Sequence, residues 1–383
     1  MNPLAKMSHL SWECVFKYMD YNARIIIALQ LPAFHQIEKL YPYHINKIEI
    51  KSNTIKINNT CYQLGVVCHY HEGETPADII KQNGNGGLQY DVDSYGFKNE
   101  EERRSVMSEW KDIQDYLNNN ERPPVRRRFF VYTEEEIERI RSKVEILQAK
   151  VQNLPPPFTY YLRLTVSSDS LRVKENMWYH NNISFAMNYL VNKLFSQNKA
   201  KLKVAHLKID NRVRMRLVQA MINYRKYPLE SVEITVYGGF PNSESFLSHP
   251  LLASAQRVTI CGNYLSCTQY LKTPRVHIQP NSISFSSFMD FLMALSQSAV
   301  GKNVTMNVLS RMCAQDIIRE IQGNLQYSKK ELKTKNNDFP FYYLLETSAN
   351  TDFIVYFTCD LELGSDENCT LHAEVHAKGR FLL

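Results

Sequence analysis

No stretch of this sequence approaches the ~18 consecutive apolar residues that a membrane-spanning helix requires. The first thirty residues hold no export signal either. Their best apolar run, Ile25 to Leu29, is far too short and sits between Arg24 and Gln30. Strong charge of one sign is also missing. Forty-five Lys+Arg stand against thirty-nine Asp+Glu, a net +6 over 383 residues. That excess gives no ground for a nucleic-acid partner. No CxxC pair occurs among the eight cysteines. They read as scattered free thiols of a reducing compartment. The chain is therefore expected to be soluble and intracellular, cytoplasmic or nuclear, with no membrane partner.

Signatures of chemistry are equally scarce. The sequence has no GxSxG elbow, no HExxH and no GxGxxG fingerprint. Gly84, Gly86 and Gly87 are followed by no Gly-Lys-Ser/Thr, so they do not form a phosphate loop. The one local cluster with metal-ligand chemistry is Cys68-His69-Tyr70-His71-Glu72, with Cys61 nearby. In an extended strand, alternation sends Cys68 and the two histidines to opposite faces, which disfavours a tetrahedral site. No catalytic residue, cofactor or metal is expected, and the chain does not read as an enzyme.

What is present is a sequence of distinct segments. Residues 8–41 read as short helices: Val15, Phe16 and Met19 have helical spacing, the run Ile25 to Leu31 stops at Pro32, and Phe34, Ile37 and Leu40 mark a third. Residues 42–75 switch to period two, with Ile48, Ile50, Ile55 and Ile57 alternating with lysines and glutamate. Asn58-Asn59 turns the chain, and the segment reads as a small antiparallel unit. Residues 76–130, with Asn83-Gly84-Asn85-Gly86-Gly87 and Arg126-Arg127-Arg128, read as a linker or mobile insertion.

Residues 131–330 open with a helix. Thr133 and Glu136 form a capping box, and Ile137, Ile140, Val144, Leu147 and Val151 make its apolar stripe. From residue 158, short alternating strands centre near Leu164, Leu207, Ile234, Ile260, Ile278 and Met306, separated by amphipathic segments. Strand–turn–helix units at such intervals resemble leucine-rich repeats, although the usual Leu and Asn ladder is absent. Units of this kind stack into a parallel sheet covered by helices. Residues 338–383 return to antiparallel patterning and read as a β meander capping the stack. The fold class expected is α/β.

A family resemblance enters at the N-terminus. Leu10-Ser11-Trp12-Glu13-Cys14-Val15-Phe16-Lys17-Tyr18-Met19, with Ala23 to Leu31 and Pro32-Ala33-Phe34-His35-Gln36-Ile37, resembles an F-box. More specifically the chain is similar to nematode F-box C proteins, in which an F-box-like start precedes an associated domain of unknown function. Asn58-Asn59-Thr60-Cys61-Tyr62-Gln63-Leu64-Gly65-Val66 and Phe246-Leu247-Ser248-His249-Pro250-Leu251-Leu252 carry that likeness further. Two positions depart from it: Leu10-Ser11 stands where Leu-Pro is usual, and the third segment lacks its tryptophan.

The resemblance implies an adaptor of a cullin ubiquitin ligase. Leu10, Val15, Phe16, Met19, Ile25, Ile26, Leu29, Phe34 and Ile37 would dock on a Skp1-like protein, and the C-terminal region would hold a protein target. The same apolar residues have a second reading as core packed on the Ile48–Val67 strands, and the whole chain has one as a scaffold without ligase docking. Tyr237-Gly238-Gly239-Phe240-Pro241 is the most suggestive target-binding loop, with a plain turn as its alternative.

Overall fold

The computed structural model describes residues 15, 19–30, 43–118, 133–169, 172–180, 182–195, 202–237, 243–262, 270–280, 285–296, 300–308, 311–324, 327–331, 341–348, 351–359 and 369–378. The chain divides into two compact units. One comprises Met1–Asn58 with Leu190–Leu383, and the other Asn59–Tyr189.

The first unit is a mixed α/β domain built on one sheet. Helix α1 (Tyr21–Gln30) leads into β1 (Tyr43–Lys51) and β2 (Thr54–Ile57). After the second unit come β6 (Leu202–Asp210), β7 (Ser231–Thr235), β8 (Arg257–Cys261), β9 (Arg275–Gln279) and β10 (Asn303–Val308). Between them lie α6 (Met215–Met221), α7 (Ser243–Leu247), α8 (Pro250–Ala253) and α9 (Phe285–Ser296), and α10 (Arg311–Asn324) follows. The chain closes on β11 (Tyr327–Glu331), β12 (Phe341–Ser348), β13 (Thr351–Cys359) and β14 (Cys369–Ala377). Strand order within this unit is β11-β12-β13-β14-β10-β9-β8-β7-β6-β1-β2. Strands β1, β6, β7, β8, β9 and β10 run parallel; β2 joins β1, and β14 joins β10, in antiparallel fashion.

Alternation decides which side of this sheet is core. Val232, Ile234, Val258, Ile260, Val276, Ile278, Val304 and Met306 are all buried, and their sequence neighbours are not. The helices supply Val218, Met221, Leu251, Leu252, Phe288, Phe291, Leu292 and Ile321 to the core. Central parallel strands are commonly apolar on both faces. Here only one face is.

The expectation of a shared sheet running from Leu207 to Met306 matches this register. The Leu164 strand is not one of these parallel strands. Leu164 lies in β4 (Phe158–Ser167) of the second unit, paired antiparallel. A period-two pattern reports burial and carries no strand direction, so it could not separate the two.

The second unit contains β3 (Thr60–Tyr70), β4 (Phe158–Ser167) and β5 (Arg172–Trp178), antiparallel in that order. It also holds α2 (Ala77–Gly84), α3 (Glu100–Asn118) and α4 (Glu134–Val151), and α5 (Ile183–Phe195) begins in it. Where the sequence suggests a linker over 76–130, α2 and α3 are formed. Polar α3 reads as a charged run in isolation, but it buries Val106 and Ile113 against Ile140, Val144 and Leu147 of α4. The capping box is as expected: Thr133 Oγ1 accepts from the Glu136 N–H at 3.2 Å, and the Glu136 carboxylate accepts from the Thr133 N–H at 3.0 Å.

The glycine run is packed, contrary to the flexible reading. Leu88 and Val66 exchange backbone hydrogen bonds of 2.8 and 2.9 Å. A Cβ on Gly65 would lie 2.0 Å from the Gly86 carbonyl oxygen, so this close approach of two backbones requires glycine.

Asp93 ties the hairpin of helices together. It accepts from the Tyr95 and Phe97 N–H groups, Arg103 at 2.8 Å and Lys150 at 2.6 Å. Burial opposes its charge, but Lys150 and the backbone donors outweigh it and hold the carboxyl below its usual range.

Candidate interaction surface

The face of the parallel sheet opposite its buried apolar residues carries a row of polar side chains standing opposite one another from strand to strand. Following the register, it reads Lys56, Glu49, Lys208, Glu233, Thr259, His277, Thr305, His372 and Tyr356. It lies in one unit and draws on nine strands, β2 to β13. The row faces away from the apolar core because the two neighbours of each member along the strand are buried apolar residues.

One half of the row is a charge ladder. Lys208 Nζ meets Glu233 Oε1 at 2.5 Å, and that bond raises the lysine above its ordinary value. Burial works against Glu49, but Lys51, Lys208 and Lys47 hold its carboxyl low. Cys261 sits beside Glu233, and burial with that carboxylate pushes its thiol up to about 11, away from nucleophilic chemistry.

The other half is a histidine cluster. His277 Nδ1 and Thr305 Oγ1 are 2.8 Å apart. The His372 ring stacks on Tyr356 at 4.5 Å and 3°, and its Nε2 lies 2.8 Å from Thr358 Oγ1. Glu374 accepts from Asn303 at 2.9 Å and from the Tyr356 hydroxyl at 3.1 Å, and meets His376 at 2.8 Å. Burial lowers His277 and His372; Arg257 adds to the first, and His277 adds to the second against the pull of Glu374. Burial and Glu374 raise the Tyr356 hydroxyl. Among the described residues no group of three or more His, Cys, Asp or Glu could hold a metal ion.

The residues expected to dock a partner are only partly in view. Leu10, Phe16, Phe34 and Ile37 lie outside the described residues. Val15 and Met19 are half-buried, and the Met19 N–H donates to the Val15 carbonyl at 2.9 Å. Ile25, Ile26 and Leu29 belong to α1, and their side chains lie outside the description. The anchoring of α1 is clear. Tyr21 donates to the Leu194 carbonyl at 2.7 Å and stacks on Phe195, and Asn22 donates to the Ile57 carbonyl at 3.3 Å.

The Cys68 cluster behaves as alternation predicts. Cys68 is buried, its thiol pushed up to about 12, while His69 sits against Tyr161 and His71 bonds Thr159. Cys68 and His69 border an open cleft of about 440 Å³ with Tyr70, Glu74, Asn83 and Arg163. His249 caps α8 by accepting from the Leu251 N–H, and it bonds Gln219. Tyr237 is exposed beneath the Arg212 guanidinium at 4.9 Å, while 238–241 and Arg126 to Arg128 lie outside the described residues.

The cysteine reading needs one correction. Cys61, Cys68, Cys261 and Cys313 are free thiols, but Cys369 is disulfide-bonded. Cys359 stands directly across from it in the β13–β14 ladder. That register cannot be deduced from cysteine spacing alone.

The row itself was missed. Each member is an ordinary polar residue in a strand, and only the interstrand register lines them up. Among the described residues no helix is long and apolar enough to cross a membrane. Residues 199–308, which span β6 to β10, match a family described as a domain of unknown function, DUF3557. No curated protein matches the chain.

Proposed function

We propose that this chain is a non-enzymatic recognition subunit, the substrate adaptor of an SCF-type cullin ubiquitin ligase. Its N-terminal helices dock on a Skp1-like protein and the open face of its sheet receives a protein target. The observation that carries this reading is the parallel sheet with helices on one face and a half-exposed polar and aromatic row on the other. Extended surfaces of repeated strand–helix units serve as binding faces in leucine-rich repeats and related stacks. The half-buried Val15 and Met19 supply an apolar edge for docking.

A second reading has its own observation. α1 is already engaged through Tyr21 and Asn22. In a scaffold that has lost ligase docking, the N-terminal helices would serve only as part of the core.

Size-exclusion co-elution of the purified chain with a purified Skp1-like protein separates the two. The adaptor reading expects a complex that Val15→Asp with Met19→Asp abolishes while the circular dichroism is kept. No complex with the unaltered chain would leave the scaffold.

A further inference from the structure

We propose that Arg257 and Arg275, side by side on the open face, hold the carboxylates of an acidic polypeptide segment of the target. This deepens the recognition reading above and rests on it. Arg257 opens β8 and Arg275 opens β9, and the residues that follow them, Val258 and Val276, are direct partners in the ladder. Burial of those valines sends both arginines to the uncovered side, where both are exposed.

Two cations placed across neighbouring strands repel, which costs stability unless something offsets it. Among the described residues neither arginine makes an ion pair. Their flanking partners are neutral: Ser231 stands opposite Arg257, and Asn303 opposite Arg275. Two carboxylates of the same face are already engaged, Glu233 with Lys208 and Glu374 with Asn303. A pair of guanidinium forks with hydrogen-bonding neighbours and no counter-ion among the described residues suits planar carboxylates, which each fork can bind through two N–H donors.

A peptide fits better than a single-stranded nucleic acid. Such strands are held largely by bases stacked on exposed aromatic rings. The aromatic ring of the central row, Tyr356, lies on β13, separated from β9 by β10 and β14, and its face is taken by His372.

Fluorescence anisotropy of the full chain with a fluorescein-labelled oligoglutamate peptide tests this. Saturable binding that weakens between about 50 mM and about 300 mM salt is expected. Arg257→Glu with Arg275→Glu should weaken it by about tenfold or more. Arg257→Gln with Arg275→Gln should weaken it several-fold, which keeps the test decisive if the reversed charges disturb folding. Lys81→Glu, on an exposed helix of the other unit, should leave it unchanged.

Absence of saturable binding, equal weakening by Lys81→Glu, or tighter arginine-dependent binding of oligothymidylate would each overturn the proposal. The assay needs no Skp1-like protein. Peptide binding by a chain that fails to co-elute with Skp1 would sink the ligase reading and sustain this one. Co-elution without peptide binding would sink this one alone.

Discussion

His277 and His372 show how a side chain's neighbours set its response to acid. Both are held below their ordinary value of 6.5, first by burial. The unfolded chain therefore takes up these protons before the folded one does. Their contribution to stability is complete above about pH 6.5 and is lost as pH falls through the folded values. The melting temperature should drop more steeply between about pH 6.5 and 5 in the unaltered chain than in a His277→Gln, His372→Gln variant. Equal slopes in scanning calorimetry would contradict this. None of it was legible beforehand, because His277 and His372 are far apart in sequence and each looks like a lone histidine in a strand. Cys68 was legible: strict alternation put its thiol and the flanking imidazoles on opposite faces, and that is where they are.

An element of secondary structure reads well when its neighbours are local and poorly when they are not. The box at Thr133 and the stripe Ile140, Val144, Leu147 depend on spacing within one helix, and both were readable. The partner of that helix was hidden, since polar α3 gains its meaning only from contact with α4. The strands of the parallel sheet make one-sided burial testable. On β8, Ile260→Ala should cost about 2–4 kcal/mol by leaving a cavity. Thr259→Ala, its neighbour on the open face, should stay within about 0.5 kcal/mol. Denaturant midpoints of the two variants compare them directly, and similar costs would mean that both faces are packed. The β13–β14 hairpin carries its own expectation. A non-reducing peptide map should join the Cys359 and Cys369 peptides, and reduction should cost roughly 2–3 kcal/mol in a thermal melt. Free thiols at both positions would refute the cross-strand link.

At the level of the whole chain, two compact blocks should respond separately to damage. Ile113 is fully buried in the α3–α4 cluster, so Ile113→Ala should destabilise by about 2–5 kcal/mol. Hydrogen exchange should then rise in residues 59–118 and 133–189 and stay level in β7 to β10. A rise throughout would show a single cooperative block. The α/β class and the shared sheet could be read from alternating strands spaced by helical segments. The splitting of the early strands between two blocks could not. Ile48 and Leu64 belong to the same period-two pattern, yet they fall on opposite sides of Asn58, where the chain passes from one block to the other.

The attachment of α1 bears on how such proteins can be recombined. Tyr21 reaches the Leu194 carbonyl across 173 positions of sequence, and Asn22 satisfies the Ile57 carbonyl. A chimera that grafts a foreign leader onto residue 43 would orphan both acceptors and bare the Phe195 ring. Swapped front ends should therefore be tolerated when the donor brings an equivalent tyrosine and asparagine, whatever else it changes.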